Sequence, residues 1–444
     1  RRNPVIAGPL SGLAATFCAL FPAPAAPGDP AAVVAASCRL PMSELAPATA
    51  DEPAVMLGGL SDLWVERLGP ARWRGWAVTD RGPNGMVEVD GRERRTLLAP
   101  SFAPRIVELE IEWDAAAPAR VRATVTGTPA LRDREGSPLS GRPNGLPGDP
   151  EMVDPRGEAS IATDPRGVDT EGLVRLRSGR WWLAEEYGPS LLVAAADGRV
   201  DRRLVPVGKA AAASGMDVRE CLPAAYAGRR DNRGFEALAI APDESRIFAL
   251  LQSPLPASRG KARDTSGVVR LLVLDPATGL PAAEHVYRLG NDPTAGSEGI
   301  PDDGKLCAMA ALGPELLLVL EQADGGVVRL YTADLSSATD TLPRTLAGDE
   351  PALEAIDLAA AGVVPVAKRL AADIGPIVDD LRAGVGLGDS TAALKIEGLA
   401  VADERHVFLV NDDDFGVRGA SAAPPPGSCL WVLRLPEPLP LSNP

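Results

Sequence analysis

Short apolar runs recur along the chain, and pairs of runs are joined by turns rich in Gly, Pro or Asp. Four copies are clear: "DTEGLVRLRSGRWWLAEEYGPS", "GFEALAIAPDESRIFALLQSPL", "KLCAMAALGPELLLVLEQADGG" and "KIEGLAVADERHVFLVNDDDFG". A weaker copy near the start is "GGLSDLWVERLGPARWRGWAVTDRGPN". Apolar runs of this length, bounded by turn residues, are typical of β-hairpins. The pattern therefore predicts one antiparallel hairpin in each copy.

The spacing of the copies indicates a fold class. Further strand patterns follow several hairpins, such as "SLLVAAADGRV" and "GVVRLYTADL", and the unit repeats at a period of sixty-odd residues. Hairpins with extra strands at this period are typical of the blades of a β-propeller. We predict an all-β fold, a single β-propeller of about six or seven blades over residues 26–444.

Three stretches interrupt the repeat. Residues 129–168 and 205–232 are rich in Gly, Pro or charged residues and are predicted to be long loops. Residues 349–386 are predicted to be a short helical insertion, because apolar residues recur there at helical spacing, namely Leu353, Ile356, Leu370 and Ile374.

The N-terminal residues predict export. Two Arg precede an apolar stretch from Leu10 to Phe21, and Ala23-Pro24-Ala25 fits a small-x-small cleavage site. This is the layout of a secretory signal peptide over residues 1–25, and the stretch is too short to span a bilayer. No other segment predicts a membrane span, so a periplasmic or secreted protein is expected.

Cysteine usage is compatible with that compartment. Removal of Cys18 with the signal would leave four Cys, an even number. We hypothesise that Cys38 and Cys429 form a disulfide that joins the first and last strands.

The charge balance restricts the partners. The chain has 45 Lys and Arg against 60 Asp and Glu, a net charge of −15. Nucleic-acid binding is not expected, because phosphate backbones require clustered Lys and Arg. A cation-binding protein is compatible with this charge, and so is acidity that serves solubility alone.

Acidic residues recur at two positions of the repeat. Glu171, Glu236 and Glu397 stand at the start of the first strand; the end of the second strand has Gln252 in one copy and an acid in the others, namely Asp80, Glu185, Glu321 and Asp412. A ring of hairpins would bring these side chains to one rim. Converging carboxylates repel one another unless a cation neutralises them, and oxygen donors suit Ca²⁺. The alternative is that each acid caps the amides of its own turn.

Basic residues flank the same positions. Arg81 in "DRGPN", Arg233 in "NRGFE" and Lys395 in "KIEG" could hold a phosphate or carboxylate of a ligand. Salt bridges to the neighbouring acids explain them equally well. The two histidines, His285 and His406, lie in strand patterns and are predicted to be structural.

Three of these motifs carry a family resemblance. "EEYGPS", "NRGFE" and "NDDDFG", in this order and spacing, resemble the phytase-like ("esterase-like activity of phytase") family of exported bacterial and plastid proteins. The resemblance runs from about residue 55 to the C-terminus. It implies a β-propeller, export, and hydrolysis of phosphate or carboxyl esters. The chain is also similar at a distance to calcium-dependent propeller phosphatases and phytases.

The resemblance implies a set of metal ligands, carried over position by position: Glu171, Glu185, Glu186, Glu236, Glu321, Glu397, Asp412 and Asp414. The third repeat departs from the pattern, because Cys307-Ala308 stands where other copies have Glu-Gly. The acidic ring is therefore expected to be incomplete.

These observations predict a metal-dependent phosphoester hydrolase that uses Ca²⁺ and acts on a small-molecule phosphoester or other ester. The predicted catalytic residues are Glu236, Glu397 and Arg233, and the predicted substrate-binding residues are Arg81, Arg233 and Lys395. The alternative is a non-catalytic propeller that Ca²⁺ braces and whose rim is a binding platform.

Overall fold

A computed structural model describes residues 31–145, 151–209, 215–256, 267–290, 304–347, 352–384, 394–418, 421–422 and 427–442. The strands in chain order are β1 Val33–Arg39, β2 Glu44–Ala46, β3 Val55–Met56, β4 Leu60–Gly69, β5 Arg72–Thr79, β6 Asn84–Val89, β7 Arg92–Leu97, β8 Ile106–Trp113, β9 Val121–Gly127, β10 Met152–Val153, β11 Thr170–Arg175, β12 Trp181–Glu185, β13 Ser190–Ala194, β14 Val200–Pro206, β15 Asp217–Leu222, β16 Phe235–Ile240, β17 Ile247–Leu251, β18 Val268–Leu274, β19 Pro281–Arg288, β20 Lys305–Ala311, β21 Leu316–Ala323, β22 Val327–Asp334, β23 Ala367–Asp373, β24 Lys395–Val401, β25 His406–Asp412, β26 Val417–Arg418, β27 Ser421–Ala422 and β28 Cys429–Arg434. The α-helices are α1 Leu342–Ala347 and α2 Val378–Gly384, and the 3₁₀ turns are Ala224–Gly228, Leu353–Ala355, Gly375–Ile377 and Asp414–Gly416.

The main strands form five sheets of the propeller type. In order from the innermost strand outward they are β4-β5-β8-β9, β11-β12-β13-β14, β16-β17-β18-β19, β20-β21-β22-β23 and β24-β25-β28-β1. Every neighbouring pair in these sheets is antiparallel, and β15 extends the second sheet by pairing in parallel with β14. Small sheets of β6, β7 and β10, of β2 and β3, and of β26 and β27 lie outside the five.

The innermost strands close a ring. β4 contacts β11, β11 contacts β16, β16 contacts β20, β20 contacts β24, and β24 returns to β4. Five sheets in the described ranges are fewer than the predicted six or seven blades. The predicted count of six or seven is not confirmed; residues between Asp80 and Asp169 supply β8 and β9 to the first sheet and a small separate sheet.

The sheets pack face to face, which explains their sequences. All residues of β17 and β18 are buried, because both faces of the third sheet are covered. Strands buried on both sides read as continuous apolar runs rather than as alternating patterns. The core accordingly consists of several apolar clusters between neighbouring sheets rather than one centre.

The N-terminal strand closes the ring. β1 pairs with β28 as the outermost strand of the fifth sheet, so the two ends of the described chain share one sheet. The predicted cysteine pair does not form there: in the register of this pair Cys38 lies opposite Leu430, while Cys429 lies opposite Arg39. Adjacent residues of a strand face opposite sides, so the two thiols point away from each other. No disulfide joins any of the four cysteines of the described ranges.

The predicted insertions are partly strands. Residues 205–232 contain β15 and a 3₁₀ turn, and residues 349–386 contain β23 as well as α2. Leu370, which fits a helical pattern, instead pairs with Tyr331 in an edge strand. Pairing with an existing sheet therefore overrides the local helical spacing. The predicted loop at 129–168 contains only the two-residue strand β10 among its described residues.

The predicted signal peptide lies outside the described residues. Within the described ranges, no helix is long and apolar enough to cross a membrane. The predicted structural histidines have local partners: His285 Nδ1 is 3.1 Å from the carbonyl oxygen of Thr339, and His406 Nδ1 is 2.9 Å from a carboxylate oxygen of Asp403.

Candidate functional site

A β-bulge interrupts the innermost strand of every sheet at the same place. The register shifts around one extra residue in each strand, and these residues are Ser61, Glu171, Glu236, Cys307 and Glu397. A bulge redirects the side chain of its extra residue. All five side chains are buried, and the three glutamates line a cavity of about 370 Å³ at the ends of the inner strands.

The residue after each bulge is small or short because neighbouring inner strands approach closely there. A Cβ atom on Gly172 would lie 2.9 Å from the carbonyl oxygen of Glu236, and one on Gly398 would lie 3.0 Å from the backbone of Asp62. The recurring Glu-Gly of the sequence therefore has two physical causes. The bulge turns the acid toward the cavity, and the next strand leaves no room beside the following residue.

The three bulge glutamates converge. Carboxylate oxygens of Glu171, Glu236 and Glu397 all lie within 4.8 Å of one another, although each comes from a different sheet. Burial, followed by the charges of Asp169 and Glu236, raises the pKa of Glu171 well above its usual value. Burial, followed by Glu186 and Glu397, does the same to the pKa of Glu236. We call these three residues the glutamate trio.

A second set of side chains surrounds the trio. In each sheet the residue just before the bulge pairs with a residue of the second strand, and these partners are Thr79, Glu185, Leu251, Glu321 and Asn411. The residues that follow them line the cavity, and these are Asp80, Glu186, Gln252, Gln322 and Asp412. The cavity position is therefore the residue after the paired one in every sheet.

Two of the predicted metal ligands lie outside the cavity in this register. Glu185 does not line the cavity: it accepts a hydrogen bond from Ser190 Oγ at 2.6 Å and pairs with the buried Arg203 at 3.0 Å. Glu321 also points away and accepts from Tyr287 Oη at 2.6 Å and from Lys368. Glu185 thus binds neighbouring strands of its own sheet, and Glu321 reaches β19 of the third sheet. A one-residue shift along a strand moves a side chain to the opposite face, which is why these two point away from the cavity.

Arg81 is an internal cation of the site. Its guanidinium is 2.7 Å from Asp169 Oδ2 and 3.2 Å from Glu186 Oε2, and it donates to Asn232 Oδ1 at 2.7 Å. The side chain of Arg81 is 5% exposed. The second acidic group of the cavity, formed by Asp169, Glu171 and Glu186, therefore has an internal cation that pairs with two of its three carboxylates.

Two lysines occupy the same position in neighbouring inner strands. Lys305 begins β20, and its Nζ is 3.0 Å from Glu397 Oε1. Lys395 begins β24, and its Nζ is 3.1 Å from Asp412 Oδ2 and also contacts Asp414. Although burial lowers the pKa of Lys305, the charge of Glu397 raises it overall. Both ammonium groups are therefore charged at the cavity wall.

Arg233 lines the same wall. It is half-buried and donates a hydrogen bond to Gln252 Oε1. The predicted substrate-binding residues Arg81, Arg233 and Lys395 thus meet in one cavity, but Arg81 is the most completely occupied by internal partners.

The three aspartates of "NDDDFG" have different roles. Asp412 and Asp414 line the cavity beside Lys395. Asp413 does not: its Oδ1 accepts hydrogen bonds from the backbone N–H of Gly59 at 3.0 Å and of Phe415 at 3.2 Å. Asp413 therefore links the fifth sheet to the first, where the ring closes.

Sequence reasoning missed several residues of the site. Lys305, Gln322 and Asp169 belong to it. A strict alignment of the repeats would have found Lys305, since "KLC" matches "KIE" residue by residue. It would also have aligned Ser61 of "GLSD" with the bulge glutamates of the other copies. The weakness of the first copy hid this position.

The described geometry can be compared with known proteins. An uncharacterized secreted protein of Arthroderma benhamiae is 26% identical over 247 residues, which are 48% of this chain. The chain spans 46% of the length of that relative.

Solved structures resemble the chain at a lower level. The PQQ-bound aldose sugar dehydrogenase of Streptomyces coelicolor covers 90% of this chain and 97% of its own, at 10% identity and a TM-score of 0.32. The Cps50 (Swd1) β-propeller domain of Myceliophteria thermophila covers 80% of each chain at 13% identity and a TM-score of 0.29. Likenesses of this size carry no argument about activity.

The family comparison covers most of the chain. The profile of a family described as "Phytase-like: Esterase-like activity of phytase" matches residues 55–415. This range begins before the first innermost strand and ends within the "NDDDFG" turn, so it includes all five bulges and both lysines. The chain belongs to the phytase-like family.

Proposed function

We propose that the protein is an exported, metal-dependent phosphoester hydrolase that uses Ca²⁺ and acts in the cavity at the ring axis. The observation that carries this proposal is the glutamate trio, three buried carboxylates from three sheets with oxygens within 4.8 Å of one another. Membership of the phytase-like family supports ester hydrolysis as the reaction class.

The trio suits a hard divalent cation. Its donors are all carboxylate oxygens, which Ca²⁺ accepts in flexible geometry. Glu236 Oε2 is buried and makes no hydrogen bond within the described ranges. Arg81 pairs with Asp169 and Glu186 and Lys305 pairs with Glu397, so within the described ranges Glu171 and Glu236 form no ion pair. Glu171, Glu236 and Glu397 would hold the cation.

A divalent cation held there would polarise a phosphoryl oxygen and lower the pKa of a nearby water molecule. The residues of the chain would supply the remaining interactions. Arg233 and Lys395 line the wall and can donate hydrogen bonds to phosphate oxygens. Arg81 would act as a positioning residue, because its ion pairs hold the carboxylates of Asp169 and Glu186 beside the trio.

The test is hydrolysis of p-nitrophenyl phosphate and of phytate with and without EDTA, repeated for Glu236→Gln and Glu397→Gln. We expect chelation to abolish the activity and each substitution to lower kcat/KM by at least about a hundredfold. Glu66→Gln, an exposed acid far from the cavity, is the control and should match the wild type. Activity that is indifferent to chelation would contradict the proposal.

A specific observation favours a second candidate, a non-catalytic propeller that Ca²⁺ braces. The cations of the cavity are already paired with its acids, as in Arg81 with Asp169 and Lys395 with Asp412. Such a rim could bind a partner without turning it over. Strong stabilisation by Ca²⁺, with no hydrolysis of any ester and no effect of Glu236→Gln on the assays, would select this candidate.

Export rests on the signal-like residues 1–25 and on the name of the Arthroderma relative, which is a secreted protein. The expected mature N-terminus lies near residue 26. N-terminal sequencing of protein recovered from the periplasm or medium tests this, and an intact Arg1 in the exported protein would contradict it.

A further inference from the structure

Lys305 differs from the other cations of the cavity in what it pairs with. Within the described ranges its ammonium forms an ion pair with Glu397 alone, at 3.0 Å, and its side chain is 20% exposed. Glu397 belongs to the glutamate trio. Lys395, at the same position of the next inner strand, pairs with Asp412 and Asp414, which lie outside the trio.

A divalent cation bound by the trio would compete with the ammonium of Lys305 for the same carboxylates. An ammonium beside three converging carboxylates is attracted to them in the same way as a metal ion. A cation bound by Glu397 would place like charges a few ångströms apart, which is unfavourable in a partly buried site. A lysine can resolve this conflict, because its charge sits on a flexible four-carbon stem.

We propose that Lys305 is an internal counter-ion of the glutamate trio, that a divalent cation displaces it, and that the released ammonium then binds the anionic ligand. This inference rests on the metal site of the proposed function. It assigns to Lys305 a role in regulating that site: the metal ion must bind first, and its binding makes available a positive charge for the ligand.

The displaced ammonium of Lys305 can still reach a ligand in the cavity. Lys305 lines the same wall as Arg233 and Lys395, so a small rotation of its stem leaves the ammonium within the cavity. By linkage, a metal ion that frees Lys305 strengthens anion binding, and an anion strengthens metal binding by the same factor.

The experiment is titration calorimetry of the full chain with CaCl₂, and then with inorganic phosphate in the absence and presence of Ca²⁺. The variants are Lys305→Met, Lys305→Arg and the matched control Lys395→Met. Lys305→Met should bind Ca²⁺ about tenfold more tightly than the wild type. It should also lose most of the Ca²⁺-dependent gain in phosphate affinity. Lys305→Arg should keep wild-type behaviour, and Lys395→Met should change Ca²⁺ affinity much less. If Lys305→Met does not fold, Lys305→Gln is used with the same expectations.

The outcomes separate this inference from the proposed function. Tighter Ca²⁺ binding by Lys305→Met supports the inference even if no ester is hydrolysed. Unchanged or weaker binding by a folded Lys305→Met overturns it, even if the wild type is a Ca²⁺-dependent hydrolase. A wild type that binds no divalent cation overturns both.

Discussion

Glu185 and Glu186 are adjacent in the chain, but their carboxylates have different partners. Glu185 is fully buried between Ser190 and Arg203. Glu186 faces the cavity, where Oε2 is 3.2 Å from Arg81 and Oε1 makes no hydrogen bond within the described ranges. The two acids of "EEYG" are therefore expected to respond differently to the same substitution.

We expect Glu185→Gln to lower the free energy of unfolding by about 3 kcal/mol, because it leaves the buried guanidinium of Arg203 without its ion pair. Glu186→Gln should cost less, since Arg81 keeps Asp169 as a partner. Conversely, Glu186→Gln should weaken Ca²⁺ binding several-fold through loss of a nearby negative charge, whereas Glu185→Gln should not. Urea denaturation and calorimetry measure the two effects. The reverse pattern would contradict the placement of Glu186 at the cavity and of Glu185 within its sheet.

At the same scale, the orientations of the aspartates in "NDDDFG" could be predicted from the sequence, but the partner of Asp413 could not. Alternation along a strand places Asp412 and Asp413 on different sides, and this agrees with the structure. The reason for Asp413 is not visible in the sequence, because its partner Gly59 lies 354 positions away. A long-range hydrogen bond across the closure of the ring leaves no local pattern.

At the scale of the element, the bulge and the small residue after it act together. The inner strands run so close that Gly172 has the backbone of β16 within about 3 Å of where its Cβ would lie. The same position holds Ala237 and Ala308 in the third and fourth sheets. Only the first sheet has a longer side chain there, Asp62, so the four other sheets keep this position at a methyl group or less.

We predict that Gly172→Val lowers the free energy of unfolding by about 3 kcal/mol, because overpacking against a backbone atom forces the strands apart. It should also weaken Ca²⁺ binding, since Glu171 is the preceding residue and would move with the strand. Gly69→Val at the outer end of β4, where a Cβ would meet nothing within 4 Å, is the matched control. A Gly172→Val variant as stable as this control would contradict the packing argument.

The elements show what the sequence could and could not predict. The structure has the predicted hairpins over residues 170–185, 235–251 and 395–412. They could be predicted because each consists of two apolar runs separated by turn residues. β23 was predicted as helix because Leu370 and Ile374 are four residues apart, and its pairing partner β22 lies more than thirty residues earlier. Spacing within a segment carries no information on such a partner.

At the scale of the molecule, the propeller class followed from the repeat, but the number of sheets did not. The repeats predict the number of blades only if every copy is recognised and every insertion between copies is excluded. The segment between the first and second inner strands is the longest, since β4 begins at Leu60 and β11 at Thr170. The three acids of the trio each sit in a strong copy, whereas Glu185 and Glu321 stand one residue before Glu186 and Gln322, which line the cavity.

Closing the ring also concentrates buried acid, which makes the stability of the whole molecule depend on pH. Burial raises the pKa of Asp62, on the first inner strand, to about 8. Burial, followed by Asp412, raises the pKa of Asp413 to about 7. Their ordinary value is 3.8. Between pH about 4 and about 8 the folded protein therefore holds protons that the unfolded chain has released.

A folded state that binds more protons than the unfolded state loses stability as the pH rises. We accordingly predict that the Tm measured in EDTA is highest near pH 5 and falls by several degrees up to pH 8. Asp413→Asn, which keeps an acceptor oxygen but cannot ionise, should reduce this slope. Ca²⁺ should raise the Tm more at pH 8 than at pH 5, because protons compete with the metal ion for the trio. Scanning calorimetry of both proteins, with and without Ca²⁺, makes the comparison, and a Tm that rises between pH 5 and pH 8 in EDTA would contradict it.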